Sequence, residues 1–171
     1  MTGVPILLGT DRSPTETLIQ VNSSTALRID APLLRDAAEA SSTLRHLLLR
    51  YAQALFVQIS NSVASNAFDR MESRLARWLL MVHDRIQDPK IHLTHEFMAM
   101  MIAAQRSGVT LSLHILEGAG MIRSTRGLVT ILDREKLEDL AGDAYGPAEA
   151  EYHRLMGFPI EWRSSEAQPT P

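Results

Sequence analysis

Between Thr94 and Arg126 the chain gathers hydrogen-bond donors and positive charge. Arg106, Arg123 and Arg126 stand there against only Glu96 and Glu117, with His95 and His114 close by. Other combinations could suggest bond-making chemistry, and each has a simpler reading. His92 and His95 lie three apart across a strand-to-helix junction, do not converge, and lack a third metal ligand. Asp133, Glu135, Glu138 and Asp139 read as the solvated face of a short helix, because no histidine or nucleophile accompanies them for acid–base work. Gly118-Ala119-Gly120 ends a helix and follows no strand, unlike a dinucleotide loop. Met98, Met100 and Met101 read as core filling. Cysteine is absent, which removes thiol catalysis, disulfides and cysteine-held zinc or iron–sulfur clusters. No catalytic residue, metal or cofactor is expected, and the chain is not read as an enzyme.

The elements that must carry the Arg-rich segment can be read from LTHEFMAMMIAAQRSGVTLSLHILEGAGMIRSTRGLVTI, residues 93–131. Thr94 can cap a helix and Glu96 suits its first turn. Phe97, Met98, Met101 and Ile102 repeat at helical spacing. After a tight turn, Val109, Leu113 and Leu116 give a second helix a stripe facing the first. Arg106, Ser107, Thr110, Leu111 and His114 fall on its other face. Two short strands joined across Arg126-Gly127 follow. This order is a helix-turn-helix with a β-hairpin wing, whose second helix enters the DNA major groove. Gly108 is costly inside such a helix, by about 1 kcal/mol relative to Ala.

The segment resembles the C-terminal domain of the Crp/Fnr family of bacterial transcription regulators. MESRLARWLLMVHDR (71–85) is similar to the helix that opens the family's DNA-binding domain, and MIRSTRGLVTILDREKL (121–137) to its wing and following helix. LRHLLLRYAQALFVQISNSVASN resembles its long dimerisation helix. The resemblance implies base reading by Arg106, Ser107 and Leu111. Arg106 can pair bidentately with guanine, and Leu111 can touch a thymine methyl. It also implies backbone contacts by Thr94, His95, Gln105, Thr110, Arg123, Ser124 and Arg126, which position without specifying.

Upstream, PILLG, TLIQV and ALRI read as short strands. By resemblance they form the latter half of the family's β-roll sensor. Arg12-Ser13, after Gly9-Thr10-Asp11, match the pair that holds the ligand phosphate in cyclic-nucleotide members. The family's Gly-Glu segment does not accompany them and Pro14 follows, so they read as an inter-strand turn and no effector is assigned. Asp30 caps a short helix with Pro32 in its first turn. Ser41-Ser42-Thr43 cap a long one from about Leu44 to Ser65. On it Leu48, Tyr51, Leu55, Ile59 and Ser62 follow the spacing of a two-stranded seam, which the resemblance makes the dimer contact. Asn66-Ala67-Phe68-Asp69 form a hinge, Asp69 can cap a helix from Arg70 to Ile86, and Asp88-Pro89 end it.

The fold class is therefore mainly α (α+β). Residues 1–43 are read as a partial cyclic-nucleotide-binding-like sensor, 44–66 as the dimerisation helix, and 67–157 as the winged helix-turn-helix. Residues 158–171 are read as a disordered tail. With 171 residues, 45% of them hydrophobic, the chain can build a real core. Its net charge of −3 comes largely from acidic residues after Asp133, and it predicts modest non-specific DNA affinity. Double-stranded DNA and a second copy of the chain are the expected partners. No membrane segment or secretion signal is read, so a cytoplasmic location is expected. A dimeric interaction module, or a dominant-negative partner of a full-length homologue, is the alternative.

Overall fold

The computed structural model describes residues 2–13, 16–19, 27–86 and 90–157. Its elements are α1 (Val4–Leu7), α2 (Ala31–Ala40), α3 (Ser42–Phe68), α4 (Met71–His83), β1 (Lys90–His92), α5 (His95–Met101), α6 (Arg106–Gly118), β2 (Ile122–Thr125), β3 (Leu128–Ile131), α7 (Arg134–Ala141), a 3₁₀ turn (Gly142–Ala144) and α8 (Pro147–Met156). The molecule is mainly helical, with one antiparallel sheet in the order β1-β3-β2. Three helix starts carry side-chain caps, whereas Asp30, the expected cap of α2, sits at its N-cap position without a side-chain cap bond. Ser41 Oγ accepts from the Leu44 N–H (3.2 Å), Thr94 Oγ1 from Phe97 (3.1 Å) and Asp133 Oδ1 from Lys136 (3.1 Å). Each satisfies an N–H that the helix leaves open, worth about 1 kcal/mol.

The core is built around α4, in which every residue from Leu75 to His83 is buried. Leu75, Leu79 and Leu80 meet Met98 and Ile102 of α5, Val109, Leu113 and Leu116 of α6, the sheet residues Ile91, Ile122 and Val129, and Leu137 of α7. Each large apolar side chain so buried contributes about 1.5–3 kcal/mol. Trp78 and Phe97 close one edge with their rings 6.1 Å apart in a T-shaped arrangement.

At the end of α4 a polar cluster is drawn into this packing. Arg134 donates to the fully buried Asp84 carboxylate at 2.8 Å, to Glu138 at 2.7 Å and to His83 Nδ1 at 2.9 Å. The Tyr145 hydroxyl donates to the other Asp84 oxygen, also at 2.8 Å. Burial and the Asp84 carboxylate push the Tyr145 phenol well above its ordinary pKa, so it remains a donor. Burial and the neighbouring Arg134 hold His83 below its ordinary value, so it remains a neutral acceptor.

Three expectations need correction. PILLG forms no strand: Val4–Leu7 is a helical turn, with Pro5 near its start. The described parts of TLIQV and ALRI, residues 17–19 and 27–29, carry no strand either. A strand is stabilised by the ladder of its neighbour, and none of the described residues pairs with this region. No β-roll half is therefore present among the described residues before α2. Asp69 closes α3 and does not cap α4, whose N-cap Arg70 has no side-chain cap bond. Regular helix in α4 stops at His83, because Asp84 and Arg85 turn the chain so that Asp84 meets Arg134 and Tyr145. The expected stop at Asp88-Pro89, the tail 158–171 and the rest of TLIQV and ALRI lie outside the described residues.

Replacing Asp84 by Asn should cost about 3 kcal/mol, toward the low end for breaking a buried pair because Arg134 keeps Glu138. Urea denaturation would measure it. A loss below about 1 kcal/mol would mean that the cluster contributes little to stability.

Candidate nucleic-acid interface

The turn between α5 and α6 brings two helices together over very few residues. Ala103 enters the left-handed region with φ 50°, where an L side chain carries a cost of about 1–2 kcal/mol. Its methyl is exposed, which keeps the strain local. The Ala104 N–H then returns to the Ala99 carbonyl at 2.9 Å, and α6 begins at Arg106.

Gly108 is explained by proximity. A Cβ built there would lie 2.5 Å from Met71 Sδ and 2.7 Å from Met71 Cε. The glycine lets α6 seat against the first residue of α4. Beyond it Val109, Leu113 and Leu116 are buried, whereas Arg106, Ser107, Leu111, His114 and Ile115 are exposed. All three expected base-reading residues thus stand on the open face of α6, with Leu111 62% exposed.

Their neighbours are more constrained. Arg106 pairs with Glu96 at 3.1 Å, both side chains about two-thirds exposed. Such a pair is worth about 0–1 kcal/mol and is easily exchanged for another acceptor. Thr110 Oγ1 donates to the Arg106 carbonyl (3.1 Å) and lies 2.9 Å from His95 Nδ1. With the single hydroxyl proton spent on the carbonyl, His95 donates from Nδ1. His95 and Thr110 therefore pin α5 to α6. Thr94 is used as a cap, and Gln105 is exposed at the α6 N-cap with no side-chain cap bond.

In the wing, Arg123 is exposed on β2 and Arg126 is exposed in the two-residue turn itself, in which Gly127 takes φ 74°. Ser124 gives its backbone N–H to Glu117 Oε1 at 2.9 Å, which ties the hairpin to the end of α6. Both carboxylates of the segment, Glu96 and Glu117, are engaged in holding it together. Sequence reasoning missed these two roles; the carboxylates were visible, but their partners are set by the docking of α5 and the wing.

The expected seam residues of α3 divide. Ile59 is exposed and Leu48 and Leu55 are half-buried. Tyr51 is half-buried, and burial followed by the proximity of Tyr152 raises its pKa. Ser62 donates to the Gln58 carbonyl (2.8 Å) and accepts from Arg77 (3.1 Å). An exposed apolar stripe runs through Leu49, Phe56, Ile59 and Val63. Arg12 and Ser13 are exposed in the segment after α1. A cavity of about 690 Å³ between α1, α2 and α3 reaches Thr10 and Asp11 but neither of those two residues. Among the described residues no three His, Asp or Glu side chains gather as metal ligands. Nor is any described helix long and apolar enough to cross a membrane.

Residues 73–140 match the family model of the Crp-like helix-turn-helix domain. No curated protein matches the chain. Among solved structures, a CRP-family transcriptional regulator of Thermus thermophilus is 26% identical with a TM-score of 0.51, over 58% of this chain and 54% of that one. A protein of Eubacterium rectale, described as a transcriptional regulator of the Crp/Fnr family, is 22% identical. It also has a TM-score of 0.51, over 65% of this chain and 51% of its own. The chain thus matches about half the length of each. It carries a Crp-like helix-turn-helix domain, a DNA-binding module in which the second helix meets the major groove.

Gly108→Ala should gain about 1 kcal/mol of helix propensity only where Met71 has been shortened. In a Met71→Ala background the substitution should stabilise, and with Met71 present most of the gain should vanish. A double-mutant cycle by chemical denaturation would measure this coupling, and equal effects in both backgrounds would remove the packing explanation.

Proposed function

We propose that the chain is a DNA-binding transcription regulator that acts as a homodimer on a two-fold-related site. The observation that carries the reading is the open face of α6, where Arg106, Ser107 and Leu111 emerge together from a Crp-like helix-turn-helix. In this reading Arg106 exchanges Glu96 for the O6 and N7 acceptors of a guanine, at the small cost of an exposed ion pair. Leu111 offers an apolar contact that favours a thymine methyl. Arg123, Arg126 and Gln105 are the free backbone contacts, while Thr94, His95, Thr110 and the Ser124 N–H serve mainly to hold the two helices and the wing in place. A cytoplasmic location belongs to the same proposal.

The second copy is proposed to pack on α3 along Leu49, Phe56, Ile59 and Val63. Leu49, Phe56 and Val63 recur every seven residues and Ile59 falls between the last two, the repeat of a two-stranded coiled coil. Phe56 is 54% and Val63 64% exposed, so the stripe is open in the single chain. Tyr51 and Ser62, by contrast, face elements of their own chain. A dimer so formed would present two recognition helices to half-sites about 34 Å apart, one turn of DNA.

Selection of a duplex from a random pool by the purified chain tests the whole reading, which predicts a palindrome. Selection only when a longer homologue is added would favour a partner module instead. Arg106→Ala should cost about 1–3 kcal/mol on the selected site and relax one base pair per half-site. Equal losses on random DNA would make Arg106 a phosphate contact. Phe56→Glu should give a monomer in sedimentation and weaken binding to the full site far more than to a half-site. An unchanged dimer would place the partner surface elsewhere.

A further inference from the structure

We propose that the cleft between α3 and α4 is a binding site for a small free oxyanion of phosphate or sulfate type, held by Arg74, Arg77 and Arg85. The cleft is a cavity of about 170 Å³ with Gln58, Ser62 and Asn66 of α3 on one wall and the three arginines on the other, backed by apolar side chains of α4 and α5. No acidic side chain lines it.

Each arginine spends its donors on neutral oxygens. Arg74 Nη1 donates to the Asn66 carbonyl at 3.0 Å. Arg77 donates to Ser62 Oγ at 3.1 Å and to the Ala144 carbonyl at 2.8 Å. Arg85 donates to Gln58 Oε1 at 2.8 Å and to the Met81 carbonyl. Among the described residues none of the three makes an ion pair. Arg74 Nε is fully buried with no hydrogen-bond partner. Burial lowers the Arg77 pKa, and Glu149 and Asp69 oppose it only through longer-range attraction.

A buried guanidinium donor without an acceptor is unusual, and here it stands in a cleft that the buried Arg77 and the exposed Arg85 also line with no carboxylate among them. The planar forks of arginine match the oxygens of a tetrahedral oxyanion, with geometry a lysine cannot offer. The volume sets the size. It lies below the 300 Å³ or so at which drug-sized ligand sites begin, so an ion of phosphate size fits and a nucleotide does not. The bound ion would bridge α3 and α4 across the two extended residues, Asp69 and Arg70, that join them.

The test is a titration of the full chain with inorganic phosphate, balanced by chloride at constant ionic strength and without DNA. The side-chain Nε–H resonances of arginine are followed by NMR. A saturable shift of the Arg74 Nε–H signal is expected, with affinity at least tenfold weaker in Arg74→Gln. Should that variant fold poorly, Arg85→Gln, which alters a more exposed side chain, is expected to weaken binding at least threefold. A non-saturating shift, one reproduced by chloride, or unchanged affinity in both variants would overturn the site. Displacement of phosphate by a short duplex would assign the cleft to a DNA phosphate and overturn the free ion. Because DNA enters only in that last arm, failure here leaves the regulator reading untouched, and the converse holds.

Discussion

Nine consecutive buried residues in α4 are the constraint from which the rest of the structure follows. A helix exposed on one face can point its polar residues at water. Here Arg77 and His83 lie within the buried stretch and Asp84 directly follows it, so each must find a partner in the protein. Those partners define the domain. Asp84 and His83 recruit Arg134 and Tyr145, which fixes α7 and the 3₁₀ turn. Arg77 recruits Ser62 and the Ala144 carbonyl, which seats the C-terminal half of α3. Replacing so many partnered charges by apolar groups could hold the core together equally well. It would not specify which helix goes where.

That framework turns α6 outward. Its buried side is anchored by Val109, Leu113 and Leu116, and the Met71 thioether rests against it at Gly108. The outward side then has no choice but to present Arg106, Ser107 and Leu111 together. The electrostatics of this surface are quieter than its arginines suggest, since Glu96 and Glu117 are held within it. Both are structural: one parks Arg106 and the other tethers the wing. A surface of this kind favours specific contact over general attraction to phosphate, in keeping with the chain's net charge of −3.

The region before α2 obeys a different logic. Its apolar runs have the residue types of strands, yet Val4–Leu7 is helical and the other described residues are irregular. Strand propensity expresses packing on a pleated surface and needs a neighbour to become structure. Helical turns are satisfied locally, and Pro5 presets the backbone of one. The same dependence on context explains α3. Its periodicity is compatible with several stripes, and only the packing of Gln58 and Ser62 against the arginines after the hinge, with Tyr51 beside Tyr152, shows which side stays open.

Local chemistry alone determined much of the helix-turn-helix. Caps at Ser41 and Thr94, the stripes of α5 and α6, and the Arg126-Gly127 turn all act within a few residues, so composition and spacing disclose them. The exposed trio on α6 was legible for the same reason, because one helix face is the complement of the other. What the fold alone decided involves residues far apart in the chain. Arg134 meets Asp84 across 50 positions, and Arg77 reaches Ala144 across 67. Arg106 finds Glu96 only after the turn at Ala103 has folded back. A side chain's type states what bonds it can make, but its partner is chosen by packing, and packing is a property of the whole chain.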